Sequence, residues 1–234
     1  MKLSEKHIDK ICPESEIYEK LLSLDGKKIL ELGCGNAEIT RTIATSGHDR
    51  EIIAMEVDEI QHHKNLLIDD LVNVTFKLGG GEAIGAADET FDVVLMFKSL
   101  HHVPKEFMGK ALREIRRVLK PGGLAYISEP IFAGDFNEIL QLFHDEQEVR
   151  TAAFRAIENS INEGIFFLVD EIFFNVPMLF ENFAEFENKI LKVTHTNHQL
   201  SSELYNKVKE QFSLNLKIDG ARFLIPIRVD LLKR

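Results

Sequence analysis

One ten-residue stretch, Lys28-Ile-Leu-Glu-Leu-Gly-Cys-Gly-Asn-Ala37, constrains this chain more than any other. Ile29, Leu30 and Leu32 form a short apolar run with charge before it and Gly33 after it, the pattern of a buried strand. Gly33 and Gly35 permit a tight turn and let backbone N–H groups approach a ligand that a β-carbon would hold off. A helix opening at Ala37 would aim its unpaired N–H groups at the same point. The segment therefore reads as strand, ligand-binding turn, helix.

The residues that follow repeat this alternation. Strands are expected at 51–57, 74–78, 91–97 and 124–128, with helices at 14–22, 37–46, 59–71 and 104–119. Ile60, Leu67 and Leu71 are assigned to the inner face of the third helix, and Phe107, Ala111, Leu112, Ile115 and Leu119 to that of the fourth. Pro104 suits a helix start, and Pro121-Gly122-Gly123 stops the helix. Strands apolar on both faces and separated by helices imply a parallel sheet covered on both sides. In such sheets ligands lie beyond the carboxyl ends of the strands, beside the first strand. Gly33 to Gly35, Glu56 and Val57, Gly79 to Glu82 and Lys98 to His102 all fall at those ends.

After Glu129-Pro130 the alternation lapses. Residues 131–165 read as a helical cap inserted after strand five, and 166–177 as a strand. Segments 183–191 and 202–212 read as helices. A last strand at 223–231 is placed near a sheet edge because of Pro226. Eleven of the 17 phenylalanines lie between Phe132 and Phe186. Core packing is the default reading for them. A cap facing the ligand side, or a homodimer interface, would use the same residues.

Composition sets the limits. A chain of 234 residues suits one α/β domain with an elaboration. No apolar run has transmembrane length, and the N-terminus lacks the apolar core of a signal peptide, so a cytoplasmic setting is expected. Cys12 and Cys34 are too few for a disulfide framework. A net charge of −10 speaks against a broad nucleic-acid footprint. The Arg113, Arg116, Arg117, Lys120 cluster fits a solvated helix face.

Taken together, Glu31-Leu-Gly-Cys-Gly-Asn-Ala37, Glu56, the Gly79–Asp92 loop, Phe91-Asp-Val-Val94, Leu100-His-His-Val103 and Arg117-Val-Leu-Lys-Pro-Gly-Gly123 resemble the class I S-adenosylmethionine-dependent methyltransferases, of the type 11/25 small-molecule kind. The resemblance spans roughly residues 25 to 130 and implies a Rossmann-like, mostly parallel seven-stranded sheet with helices on both faces. It implies a single domain, with a leading segment 1–24, a cofactor-binding core 25–130, a cap 131–165 and a final part 166–234. It also implies S-adenosylmethionine as cofactor, with S-adenosylhomocysteine as product. The cofactor-binding residues carried over are Glu31, Gly33, Cys34, Gly35, Ala37, Glu56, Val57, Gly80, Gly81, Glu82, Phe97 and Lys98. Glu56 would take the ribose hydroxyls, and Glu31 would fix the turn's N–H groups or reach the cofactor's ammonium through water. Two positions depart from the pattern. Ala37 stands for the third glycine, and Gly80 stands where many relatives carry an adenine-binding Asp, a role that Glu82 or backbone N–H groups could assume.

The methyl acceptor is expected to be a small, partly apolar molecule with an O, N or C nucleophile. A cofactor-binding protein without methyl transfer, or one acting on a modified S-adenosylmethionine, is the alternative, and a tRNA or protein methyltransferase a further one. His101, His102 and Glu129 are the candidate catalytic groups. A histidine near neutrality could act as base, or it could pack on the cofactor. Glu129 could orient an acceptor or cap the next helix. Lys98 could pair with a carboxylate or contribute backbone alone. Cys34 reads as a turn filler, since no base is implied beside it. His195 and His198 have metal-compatible spacing but no third ligand, so no metal is assigned.

Overall fold

The computed structural model describes residues 1–192 and 200–234. Lys28–Leu32 forms β1, Glu51–Glu56 β2, Val74–Leu78 β3, Phe91–Phe97 β4 and Leu119–Pro130 β5. These five are parallel, in the order β3-β2-β1-β4-β5. β8 (Gly220–Lys233) and then β6 (Phe167–Phe180) continue the sheet antiparallel. This is the expected seven-strand path; the two-residue β7 (Leu216–Lys217) adds a short hairpin to β8.

Both faces are covered. Ile17 and Tyr18 of α1 (Ser15–Leu21) and Ile43 of α2 (Glu38–Thr45) pack on Ile29, Ile52 and Leu95. On the other face Met108, Leu112 and Ile115 of α4 (Lys105–Val118) pack with Ala153 and Ile157 of α6 (Gln147–Asn162) over Leu30, Val94 and Met96. Side chains alternate across a strand, so Ile29 and Leu30 serve opposite cores. No helix among the described residues is long and apolar enough to cross a membrane.

Four local expectations are corrected. α3 (Glu59–Asn65) ends six residues early, and Ile60 and Leu67 face solvent, 65% and 82% exposed. Its buried residues are His62 and Asn65. Phe107 lies at the edge of the α4 stripe, half exposed, and Met108 takes the inward place. Pro226 is not on an edge, because β8 runs between β5 and β6. Its partner Asn175 gives its N–H to Lys10 and accepts from Cys12, so this pair exchanges no ladder bond and needs no donor from proline.

The fourth concerns 131–165, which does not act as one cap. α6 belongs to the layer beside α4. α5 (Asp135–Leu140) joins α7 (Phe183–Phe186) and α8 (Ser202–Leu214) against the β6–β8 hairpin. β5 stops at Pro130, opposite Ile227, while β6 and β8 stay paired for six further positions, to Phe180 and Ala221. The hairpin therefore projects past the carboxyl edge of the parallel strands. Phe180, Phe186, Phe212, Phe223, Ile139 and Val208 form a separate core on it. Phe186 and Phe212 lie 5.0 Å apart, and Phe180 and Phe186 5.4 Å. Phe180, Phe186, Phe212 and Phe223 are thus consumed inside the chain, while Phe167 stays 69% exposed.

Candidate active site

A cleft of about 910 Å³ opens at the carboxyl ends of β1, β2 and β4. That is the upper part of the ~300–1,000 Å³ range of small-molecule sites. Its floor is the glycine turn. Gly33, at φ +74°, has no room for a Cβ, which would fall 2.7 Å from the Ser99 Cβ. Gly33 and Cys34 give their N–H groups to the Met55 carbonyl at 2.9 and 3.0 Å. Ala37, at φ +63°, makes the left-handed step into α2 that a glycine would make more easily.

Glu56 ends β2 and lines the cleft. Its Oε2 accepts the Gly35 N–H at 2.7 Å, and its Oε1 accepts those of Val57 at 2.8 Å and Asp58 at 3.0 Å. Three backbone donors thus fix the carboxylate's orientation before any ligand arrives. Asn65 completes the turn by donating to the Gly35 carbonyl at 2.7 Å. This explains the orientation of α3, and the sequence reading missed it; the signal was an Asn on the inward face of an otherwise amphipathic helix.

Val57, Gly80, Gly81, Glu82 and Lys98 line the cleft as expected. A Cβ on Gly80 would lie 2.4 Å from the Glu82 Oε2, so the Glu82 carboxylate folds back over Gly80. Lys98 Nζ donates to Glu14 Oε2 at 2.6 Å, which ties the start of α1 to the end of β4. Ser99 lines the cleft within the expected Lys98 to His102 stretch, and Asp58, Gln61 and Lys192 line it without having been foreseen.

Three assignments change. Glu31 neither holds the turn nor faces the cleft. It is buried and accepts from the Thr40 hydroxyl at 2.7 Å. Burial pushes it up to about 7; the Thr40 bond opposes that rise and the Glu56 charge adds to it. Phe97 points into the core against Tyr18 and Tyr126, at 5.6 and 5.5 Å. Cys34, carried over as cofactor-binding, does not line the cleft; it is buried beneath the turn as the expected filler, with burial pushing its thiol up.

The candidate catalytic groups separate. His101 is buried, with Nδ1 on Glu129 Oε2 and Nε2 3.6 Å from Glu146 Oε1. Burial alone would lower its pKa, but the two carboxylates raise it to about 9. Glu129 also accepts the N–H groups of Leu100 at 2.9 Å and His101 at 3.4 Å, so it neither caps the next helix nor faces the cleft. Only His102 of the three lines the cleft. Although part of its ring is open to solvent, the surrounding protein and the neighbouring His101 push it down to about 4. No phenylalanine lines the cleft among the described residues, so the expected apolar cap over the ligand is not formed. His195 and His198 lie outside the described residues.

A parallel sheet with a glycine turn after its first strand, a fixed carboxylate ending its second and an antiparallel pair beyond its fifth defines a Rossmann-like methyltransferase fold. Residues 29–123 match the family described as "Methyltransferase domain". On these residues the chain is similar to a methyltransferase domain, in agreement with the fold. An uncharacterized methyltransferase-like protein of Schizosaccharomyces pombe is 40% identical over 107 residues, 46% of this chain and 40% of that protein. The ubiquinone biosynthesis O-methyltransferase of Stutzerimonas stutzeri is 30% identical over 108 residues, 46% of each chain. The chain thus spans less than half the length of these curated relatives. Among solved structures, a Bacillus halodurans protein assigned as a methyltransferase superposes with a TM-score of 0.64 at 14% identity, covering 93% of this chain and 97% of that one. That likeness concerns the fold.

Proposed function

We propose that this chain binds S-adenosylmethionine in the cleft and transfers its methyl group to a nucleophile of a small molecule. The observation that carries the reading is Glu56, held at the cleft wall by three backbone N–H groups, one of them from Gly35 of the glycine turn itself. A fixed carboxylate at that point suits a ribose diol. The turn at Gly33 and Gly35, which both line the cleft and present no side chain to it, suits the close approach of the methionine part. The Glu82 carboxylate beside Gly80 supports its standing in for the missing adenine-binding Asp.

The cofactor, when bound, supplies a methyl already activated on a sulfonium, so the protein has to align the acceptor and accommodate its proton. Glu56 and the glycine turn hold and orient. His102 and Lys192 face the remaining space and meet the acceptor. His101 and Glu129 position the Leu100–His102 turn from behind. Val103 and Pro104 stand beside His102 and Lys192 there, so the acceptor carries both polar and apolar groups near its nucleophile. Oxygen is the favoured nucleophile because relatives such as the ubiquinone biosynthesis enzyme are named O-methyltransferases. We read the chain as one unit, with residues 25–130 for the cofactor and the later elements for the acceptor. Titration calorimetry with S-adenosylmethionine and S-adenosylhomocysteine tests the cofactor, and labelled methyl appearing on a small metabolite tests the transfer. Absence of binding to either compound overturns the whole reading. Binding without any labelled product leaves only a cofactor-binding protein.

A further inference from the structure

A cluster that cofactor binding does not use reaches the cleft through His102. It joins the Leu100–His102 turn, the end of β5 and the loop between α5 and α6. Glu129 holds His101 through Nδ1, which aims the opposite ring nitrogen at Glu146 Oε1, 3.6 Å away. Glu146 is itself fixed: its Oε2 accepts from Arg150 Nε at 3.1 Å and Nη2 at 2.5 Å, and Arg150 is anchored on Asn137 Oδ1 at 3.0 Å. The free side of Glu146, Oε1, also meets His144 Nε2 at 3.0 Å. The His102 ring lies 4.1 Å from the His101 ring. One ligand atom from each of His101, His102 and Glu146 falls within 4.8 Å of the others.

We propose that His101 Nε2, His102 and Glu146 Oε1, with His144 beside them, bind a first-row divalent cation such as zinc or cobalt. Three observations carry this. First, a carboxylate on the far nitrogen of a histidine is the recurrent support of a metal-ligating imidazole, and Glu129 supplies it. Second, ligand atoms around a tetrahedral ion with bonds of about 2.0–2.2 Å lie roughly 3.3 Å apart. The His101–Glu146 pair is already near that spacing, and a turn of the more exposed His102 ring closes the rest. Third, Glu146 Oε1 faces two imidazole nitrogens at once, His101 Nε2 at 3.6 Å and His144 Nε2 at 3.0 Å, so a carboxylate oxygen and imidazoles already converge on one point. An imidazole ligates in its neutral form, so binding would release any proton the histidines carry.

Two buried ligands and one facing the cleft leave an open coordination position on the cleft side, as catalytic rather than structural sites do. Resting on the methyl-transfer reading, that position receives an acceptor hydroxyl. The bound O–H loses its proton to solvent, the oxygen forms a bond to the methyl carbon, and the carbon–sulfur bond breaks with its electron pair going to sulfur. The ion-binding site itself stands whether or not methyl transfer occurs.

The test is titration of the full chain, freed of metal, with cobalt(II) alone, read by visible d–d absorption, with proton release and displacement by zinc followed in parallel. One equivalent per chain with tetrahedral or five-coordinate bands is expected. His102→Ala, at a partly exposed position that folding tolerates, should weaken binding at least tenfold. Glu129→Gln should weaken it about 10–100-fold without removing a ligand. Absence of stoichiometric cobalt binding overturns the site. So does binding that His102→Ala leaves unchanged while His195→Ala with His198→Ala abolishes it. Cobalt binding without affinity for S-adenosylmethionine would retain the site and discard the methyl-transfer role; the reverse would discard the site alone.

Discussion

The two ends of the cleft are built from different materials. The cofactor end is backbone: the Gly33–Gly35 turn, the Gly79–Gly81 loop, and three N–H groups closing on Glu56. All of it comes from residues 32 to 82, on strands already neighbours in one parallel sheet. The acceptor end is side chains drawn from afar. Lys98 is held by Glu14, His101 by Glu129 and Glu146, and Lys192 arrives from beyond α7 on a hairpin that overshoots the sheet. An invariant ligand suits a site made from backbone, where side-chain change does little harm. A variable one suits side chains displayed on elements with a core of their own.

If the phenylalanine core serves only the acceptor end, Phe186→Ala separates the two. Phe186 is fully buried among Phe180, Phe183 and Phe212. The expected loss is about 3–5 kcal/mol, read by urea unfolding, with α7 and α8 loosening first in hydrogen exchange. Affinity for S-adenosylhomocysteine should change less than about threefold, an energy below ~1 kcal/mol. A parallel collapse of that affinity would break the division. Glu56→Gln is the converse probe. Losing a charged partner costs about 2–3 kcal/mol, so calorimetry should find cofactor affinity down roughly 30- to 150-fold, with folding weakened by only about 1 kcal/mol. Unchanged affinity would remove Glu56 from the ribose.

The same division decides what could be read from the sequence. Glycine positions and strand ends are local facts, so the sequence already puts the turn, Glu56 and the Gly80–Glu82 loop at the strand ends where the cleft lies. The errors arose where a polar contact or a distant register overrode periodicity. Ile60 and Leu67 have inward spacing, yet α3 is turned by Asn65, which must reach the Gly35 carbonyl. Pro226 has the chemistry of an edge, but β5 ends beside it and the N-terminal segment bonds its partner Asn175. The phenylalanines have the spacing of a cap, and they do cap, but around their own core. Glu146 and Lys192 belong to no motif; the fold alone brings Glu146 to His101 and Lys192 to the cleft.

Glu31 tests the boundary from beneath. Its carboxyl is pushed from 4.5 up to about 7 by burial, so the folded chain binds the proton more tightly than the unfolded one. The stabilisation that the neutral acid gives is complete below about pH 4.5 and is lost as pH rises through about 7. The swing is on the order of 2–3 kcal/mol. Glu31→Gln keeps an acceptor for Thr40 and removes the charge. Urea midpoints of the variant and wild type should therefore agree near pH 5 and diverge by pH 8, with the variant the more stable. Equal midpoints at pH 8 would show that Glu31 titrates normally.

Lys192 gives the smallest and most discriminating effect. Among the described residues lining the cleft it alone lies beyond residue 104, and its side chain is 59% exposed, 3.5 Å from Glu187. An exposed cation contributes no more than about 1 kcal/mol to a contact, so Lys192→Ala should raise KM for the acceptor roughly two- to fivefold. Stability should move by less than ~0.5 kcal/mol, as for other surface substitutions. Affinity for the cofactor should not move. The rise in KM should fade with added salt, since the Debye length falls from ~10 Å at 0.1 M to ~3 Å at 1 M. Should the cofactor's affinity fall in place of the acceptor's, the last residue from the cap would belong to the cofactor end. The two ends would then meet at His102 rather than between Lys192 and the glycine turn.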